Sequence, residues 1–373
     1  MSASCRADNR SVVAPLVAAD VIWVDVLKVL AAQFIVWHHF VLYGPLAQAA
    51  HEATPTLAAW LAEYGLLAVQ VFLVVGGYLT AQSLQRAVPA AGSSAWPKVG
   101  GLVWRRWQRL MKPFALAMVL TVLAAWLARS WMSDADTPAA PSLQQVLAHA
   151  LLLQDWLEVP ALSVGVWYVA IDLQLYVSLL LWAVMARSWA AWARGALLLL
   201  AVTASLWVWN LDSDWDMAPW YFWASYGLGA LVQRAAGLNR AWQRALVAGL
   251  LAVVVVLALA LAWRSRVALA AVVALSLWWA AQSRPLRLPL AIKAGLSALA
   301  AQSYALFLLH YAASLVVSAV ATRWGLVDAQ SAWWLLALTW ALSMLAAAWM
   351  TRVLAQPMVW QWQVAPQPVA QGR

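Results

Sequence analysis

The stretch "VDVLKVLAAQFIVWHHFVLYG", residues 24–44, decides the fold class and already points at a site. It is apolar over about the 20 residues that a ~30 Å hydrocarbon core requires. Yet it contains Asp25, Lys28, His38 and His39. On a helix of 100° per residue, Lys28 and His39 are eleven positions apart. They fall within about 20° of one line, separated by roughly 16 Å along the axis. Asp25 lies within one turn of Lys28, whereas His38 turns about 100° away and reads as structural. A charge at the centre of a membrane helix costs about 2.5–3.5 kcal/mol on insertion scales, so such groups are usually kept for a site. One reading makes Asp25 and Lys28 a neutralising i, i+3 pair, with Lys28 snorkelling and the histidines interfacial. The other makes this face a polar route across the bilayer, ending at a histidine whose ordinary pKa of about 6.5 suits proton transfer.

The rest of the chain agrees with a membrane setting. Of 373 residues, 65% are hydrophobic and 10% charged, and the mean hydropathy is +0.76. A soluble core of this size would need a polar surface that the chain lacks. The lone Cys5 excludes a disulfide framework and a cysteine metal cluster. The net charge of +9 would suggest nucleic acid in a soluble protein, but here it reads as topology, and no nucleic-acid partner is expected.

Ten spans are expected, at 21–43, 64–84, 113–132, 164–186, 195–211, 218–234, 245–263, 267–282, 299–321 and 332–354. The sixth carries Gly227 and Gly229 and the eighth is short, so that pair could be re-entrant or displaced. With the N-terminus inside, 18 of the 23 basic residues fall on cytoplasmic segments, from Arg6 and Arg10 through to Arg352 and Arg373. This favours both termini inside. The expected organisation is a cytoplasmic tail over 1–20, an all-α polytopic integral membrane bundle over 21–354 and a second tail over 355–373. The first span is too long and too charged for a secretion signal, despite "LAQA" at 46–49. The segment 133–163 is the longest outer loop and is expected to hold a short interfacial helix. The 29 tryptophans read mostly as interface belts rather than a sugar platform.

Further polar groups interrupt the apolar background. In "WRRWQRLMKP", residues 104–113, Arg105, Arg106, Arg109 and Lys112 form either a positive-inside anchor or an anion cradle. Arg106 and Arg109 share a helical face and suit phosphate oxygens. In "WYVAIDLQLY", Tyr168, Asp172 and Tyr176 make an i, i+4, i+8 stripe beside Gln174, and a buried Asp172 needs Lys28, an arginine or a histidine as partner. "SYALFLLHYAA" places His310 in the ninth span, where an interhelical hydrogen bond and a catalytic role are both open. Adjacent Gly76 and Gly77 read as a close helix contact. There is no GxSxG elbow, HExxH, P-loop or cysteine pair, so no metal site is expected.

In order along the chain, these stretches resemble the membrane acyltransferase type 3 family, O-acyltransferases of surface and secreted glycans. Asp-x-x-(Arg/Lys) followed eleven residues later by His is matched by Asp25, Lys28 and His39. The family's "FFxxSGF" is similar to "VFLVVGGY", with Gly76 for Ser and Tyr78 for Phe. Its Arg-Arg-x-x-Arg element resembles "RRWQRLMKP", with Pro113 one residue late. Its "WSLSVEEQFY" aligns on Trp167, Asp172, Gln174 and Tyr176, with Leu173 in place of the second Glu. Its "SYxLYLxH" is similar to "SYALFLLH", giving Tyr304 and His310.

The resemblance implies a multi-pass protein of a bacterial cytoplasmic (inner) membrane. It would transfer an acyl group, most often from acetyl-CoA, to a hydroxyl of a cell-surface or exported glycan. No permanently bound cofactor is implied; acetyl-CoA or another acyl-CoA enters as substrate. Arg105, Arg106 and Arg109 would hold its phosphates, Lys28 with Asp25 would orient it, and His39 would serve as base or as transient acyl carrier. Trp167, Asp172, Gln174, Tyr176, Tyr304 and His310 would support them. The rival reading is a secondary transporter using the Asp, Lys and His groups as a proton relay.

Overall fold

A computed structural model describes residues 18–88, 95–284 and 286–355. Cys5, Arg6, Arg10, Arg373 and nearly all of the two expected tails lie outside them. The described residues form thirteen α-helices and no strand: α1 (Ala18–Phe40), α2 (Pro45–Ala53), α3 (Pro55–Tyr64), α4 (Ala68–Ala87), α5 (Trp96–Trp131), α6 (Leu143–Leu151), α7 (Trp167–Met185), α8 (Ala191–Trp207), α9 (Pro219–Ala236), α10 (Ala241–Leu261), α11 (Ser265–Gln282), α12 (Leu290–Arg323) and α13 (Ala332–Ala355). Each of the ten expected spans coincides with a helix. By length and apolarity, eight helical stretches qualify to cross a membrane, and nine if the bent α1–α2 pair is one span.

The difference from ten is α9, and it has a physical cause. α9 is enclosed by α4, α7, α8, α10 and α11, so its polar side chains meet protein rather than lipid. It therefore tolerates Tyr221, Ser225, Tyr226 and Gln233. Its glycines are contact points. A Cβ on Gly77 would overlap the Tyr226 carbonyl, and one on Gly229 would overlap the Val74 carbonyl, so α4 and α9 touch backbone to backbone. The expected re-entrant pair at spans six and eight is thus two complete helices. The sharp bend of 96° sits instead between α1 and α2, where Gly44 takes φ +84° immediately before Pro45.

Paired contacts fix the helix directions. Ser303 against Lys28 and His310 against His39 make α1 and α12 parallel, while Gln33 against Trp340 and Trp37 against Trp333 make α13 antiparallel to α1. The start of α1 and the end of α13 therefore share one end of the bundle, called here the basic end. With 36 and 34 residues, α5 and α12 rise about 54 and 51 Å, more than a ~30 Å hydrocarbon core requires. The opposite end carries the connection 132–166, in which α6 is the short helix expected there. A capping box between Ser142 and Gln145 starts α6, and Leu143, Val146, Leu147 and Leu151 leave it with an exposed apolar face. Tryptophans such as Trp126, Trp192, Trp242, Trp263 and Trp334 are exposed on the flanks, in keeping with belts. The core lies around α12, α9 and α4.

Candidate active site

The α1 stripe is polar at its ends and apolar between them. Ala32 and Ile35, on the line joining Lys28 to His39, are both buried. The expected polar route along α1 is therefore interrupted for about two turns, because this face packs on α12 rather than on water.

At the end opposite the basic one, α1 and α12 bring His39 and His310 together across 271 positions of sequence. His39 Nδ1 lies 2.7 Å from His310 Nε2, and the rings stack at 4.9 Å with an interplanar angle of 14°. His310 Nδ1 faces the Leu306 carbonyl at 3.3 Å, one helical turn back. A carbonyl accepts, so that nitrogen is assigned the proton, which leaves His310 Nε2 to accept from His39 Nδ1–H. The lone pair of His39 then resides on Nε2. Gly165, at φ +74°, closes over this imidazole: a Cβ there would lie 3.3 Å from the His39 ring and 3.0 Å from Phe307. His38 Nδ1 lies 3.1 Å from the Leu61 carbonyl, and its side chain also borders the cavity that His39 lines.

His39 lines a cavity of about 1230 Å³ that opens at this end, together with Tyr43, Tyr311, Trp167 and the acidic Asp136, Asp155 and Glu158. A second cavity of about 730 Å³ adjoins it, sharing Leu66, Asp155, Trp167 and Asp216. Trp167 stands at the junction, stacked on Phe222 at 5.6 Å. Asp136 pins the wall: its carboxylate accepts from Gly44 N–H at 3.1 Å and its carbonyl from the Tyr311 hydroxyl at 2.6 Å. Burial pushes the Asp155 carboxyl above the usual range; its own backbone N–H opposes this and the nearby Asp216 charge adds to it.

The basic end is built differently. Arg106 Nη2 donates to both Asp172 oxygens, at 2.7 and 2.6 Å, and its guanidinium lies 5.3 Å from the Tyr176 ring centre. Of the partners open to Asp172, the structure selects Arg106. That arginine is turned inward, so it does not stand beside Arg105 and Arg109, which are exposed. Tyr168, Tyr226 and Tyr304 surround the ion pair within electrostatic reach. The Tyr226 hydroxyl donates to Thr80 Oγ1 at 2.8 Å and that of Tyr304 to the Leu110 carbonyl at 3.1 Å. Gln174 lies about 200° round α7 from Asp172, half-buried and away from the pair. Lys28, half-buried, feels the charges of both Asp25 and Arg109, and Asp25 also bonds the Ser297 side chain. Pro113 supplies no N–H to the Arg109 carbonyl four residues back, yet α5 runs on through it.

Sequence reasoning missed the connection between the two ends. It runs through aromatic rings of α7 and α12: Tyr168 beside the ion pair, Phe307 at 5.9 Å from it, and His310 at 6.2 Å from Phe307. The i, i+3, i+6 spacing of Tyr304, Phe307 and His310 was legible, but the helix that would meet it was not.

An acyltransferase domain family model matches residues 21–352, nearly the whole chain. The chain belongs to the acyltransferase 3 family. Neither a comparison with curated proteins nor one with solved structures gave a match. The match spans α1 to α13, so the His39 pocket and the basic end both fall inside an acyltransferase domain. The expectations of an all-helical membrane protein and of an acyltransferase are met.

Proposed function

We propose that the protein is an integral membrane O-acyltransferase. It moves an acyl group, acetyl in our reading, from cytosolic acyl-CoA to a hydroxyl of a cell-surface or exported glycan. The observation that carries this is His39: its Nδ1 is committed to His310, leaving Nε2 as the basic nitrogen in the wall of a cavity large enough for a sugar unit. The basic end faces the cytoplasm of a bacterial inner membrane, with both termini inside, as the distribution of Lys and Arg favours. Arg109 and Lys28, with Arg105 at the rim, receive the phosphates of the donor. Arg106, neutralised by Asp172, fixes α5 against α7. The thioester arm then passes along the Tyr168–Phe307 side toward His39.

There His39 Nε2 removes the proton of the acceptor hydroxyl, whose oxygen attacks the thioester carbonyl. A C–O bond forms, the C–S bond breaks, and the proton passes to the departing thiolate to give free CoA and a glycan ester. His310 Nε2 accepts a hydrogen bond from the imidazolium formed in between. A proton-relay transporter would need hydrogen-bonding groups where Ala32 and Ile35 stand.

The test is release of free thiol from acetyl-CoA by the purified protein. Release that requires added glycan and vanishes in His39→Ala, with wild-type expression, is the expected result. Glycan uptake into vesicles without thiol release would establish the transporter instead.

A further inference from the structure

A separate cavity of about 250 Å³ opens at the basic end, between α4, α7, α8 and α9. Arg187, Arg194 and Arg234 converge on it from three helix ends, and none of its described lining residues is acidic. Two of these guanidiniums hold buried N–H groups without an acceptor, Arg187 Nη1 and Arg194 Nε, and so does Trp182 Nε1. Arg234 packs over the Trp182 ring at 5.2 Å, and Gln85 is occupied by a reciprocal amide pair with Gln233 at 2.8 and 3.2 Å. Three cations facing one cavity with orphaned donors and no counter-charge are costly unless an anion completes them. Planar arginine donors suit phosphate oxygens.

A second observation selects the kind of phosphate. Arg234 also lines an adjoining groove of about 370 Å³ between α8, α9 and α10, whose other walls are almost entirely apolar, among them Leu199, Leu231, Leu246 and Leu250. A basic pocket that continues into an apolar channel along membrane helices matches a phosphate headgroup with an acyl chain attached. The 250 Å³ cavity lies below the ~300–1000 Å³ of a site for a whole drug-sized ligand, which argues against the complete donor nucleotide.

We infer that Arg187, Arg194 and Arg234, with the α8–α10 groove, form a binding site for an anionic phospholipid, distinct from the Lys28 and Arg109 side chains assigned to the donor. The site does not depend on the catalytic assignment, so His39→Ala retains it.

The protein, extracted in an uncharged detergent and washed, is incubated with phosphatidylglycerol, phosphatidylcholine or CoA, and the ligand retained per chain is measured. Phosphatidylglycerol retention about tenfold or more above phosphatidylcholine is expected, with loss of that preference in Arg187→Gln/Arg194→Gln. Gly195 lines the groove and a Cβ there meets nothing within 4 Å, so Gly195→Leu fills the acyl path while leaving the arginines intact. It should lower phosphatidylglycerol retention, and it decides the matter if the double arginine variant does not fold. Equal retention of the two lipids, retention unaffected by Gly195→Leu, or displacement of phosphatidylglycerol by CoA would overturn the proposal.

Discussion

The two ends of the bundle treat buried ionisable groups in opposite ways. At the basic end Arg106 is matched by Asp172 and ringed by tyrosines, so its charge is spent on holding α5 to α7. At the other end His39 meets another imidazole rather than a carboxylate, with a backbone carbonyl behind it. A carboxylate partner would stabilise an imidazolium, whereas a neutral imidazole does not, which suits the proposed role of His39 as a base. In the proposed function, one end holds helices together and the other moves a proton.

The largest effect is expected at His39. His39→Ala should lower acyl transfer by about 10²–10⁴-fold, the usual worth of a general base, while acyl-CoA binding stays at wild-type level. Acceptor-dependent thiol release and equilibrium CoA binding separate the two quantities. At the basic end, Asp172→Asn leaves a mostly buried guanidinium without its counter-charge, since the side chains are only 20% and 9% exposed. The expected cost is about 3 kcal/mol of stability. It should read as a lower melting temperature in detergent, and the double change Arg106→Gln/Asp172→Asn should recover part of it.

His310→Ala removes the acceptor for His39 Nδ1–H without removing the base. A hydrogen bond to a charged group is worth about 1.5–3 kcal/mol, so kcat should fall roughly ten- to hundredfold with the KM for acyl-CoA unchanged. A variant that raised KM and spared kcat would place His310 with substrate binding instead. Arg109→Gln is the converse. It should raise the KM for acyl-CoA several-fold and weaken its dependence on salt while sparing kcat, because an exposed arginine contributes about 1 kcal/mol or less.

This contrast was half-legible in the sequence. The ends of the α1 stripe stood out because Asp25, Lys28 and His39 are expensive in an apolar helix, and Asp172 announced its need for a partner for the same reason. Which partner it takes depends on α5 and α7 meeting, and no periodicity encodes that contact. The pairing of His39 with His310 is hidden for the same reason. Hydropathy also understated α9, whose Gly227 and Gly229 look like weakness until α8 is seen packed against the first and α4 against the second. The cavity walls were the least legible part, because Asp136, Asp155 and Glu158 acquire meaning from a connecting segment folding back over the bundle end; in the same wall, Trp167 did stand out in the sequence, through the family motif.

That connecting segment supplies the smallest and most local test. Burial raises the Asp155 carboxyl above its ordinary value of 3.8, and Asp216 pushes it further in the same direction. Between the ordinary value and the raised one the folded wall binds more protons than the unfolded chain. The slope of stability with pH is therefore negative there: the contribution is fully present below the ordinary value and is lost as pH rises through the raised one. The half-exposed position screens the effect, so a change of roughly twofold in opening of the segment 133–166 is expected between acid and neutral pH. Protease cleavage of that segment should slow on acidification across this window, and Asp155→Asn should flatten the dependence while leaving the His39–His310 pair in place. Cleavage that instead accelerated on acidification would mean that Asp155 is held ionised by a cation, and the wall of the His39 cavity would then be anchored by charge rather than by burial.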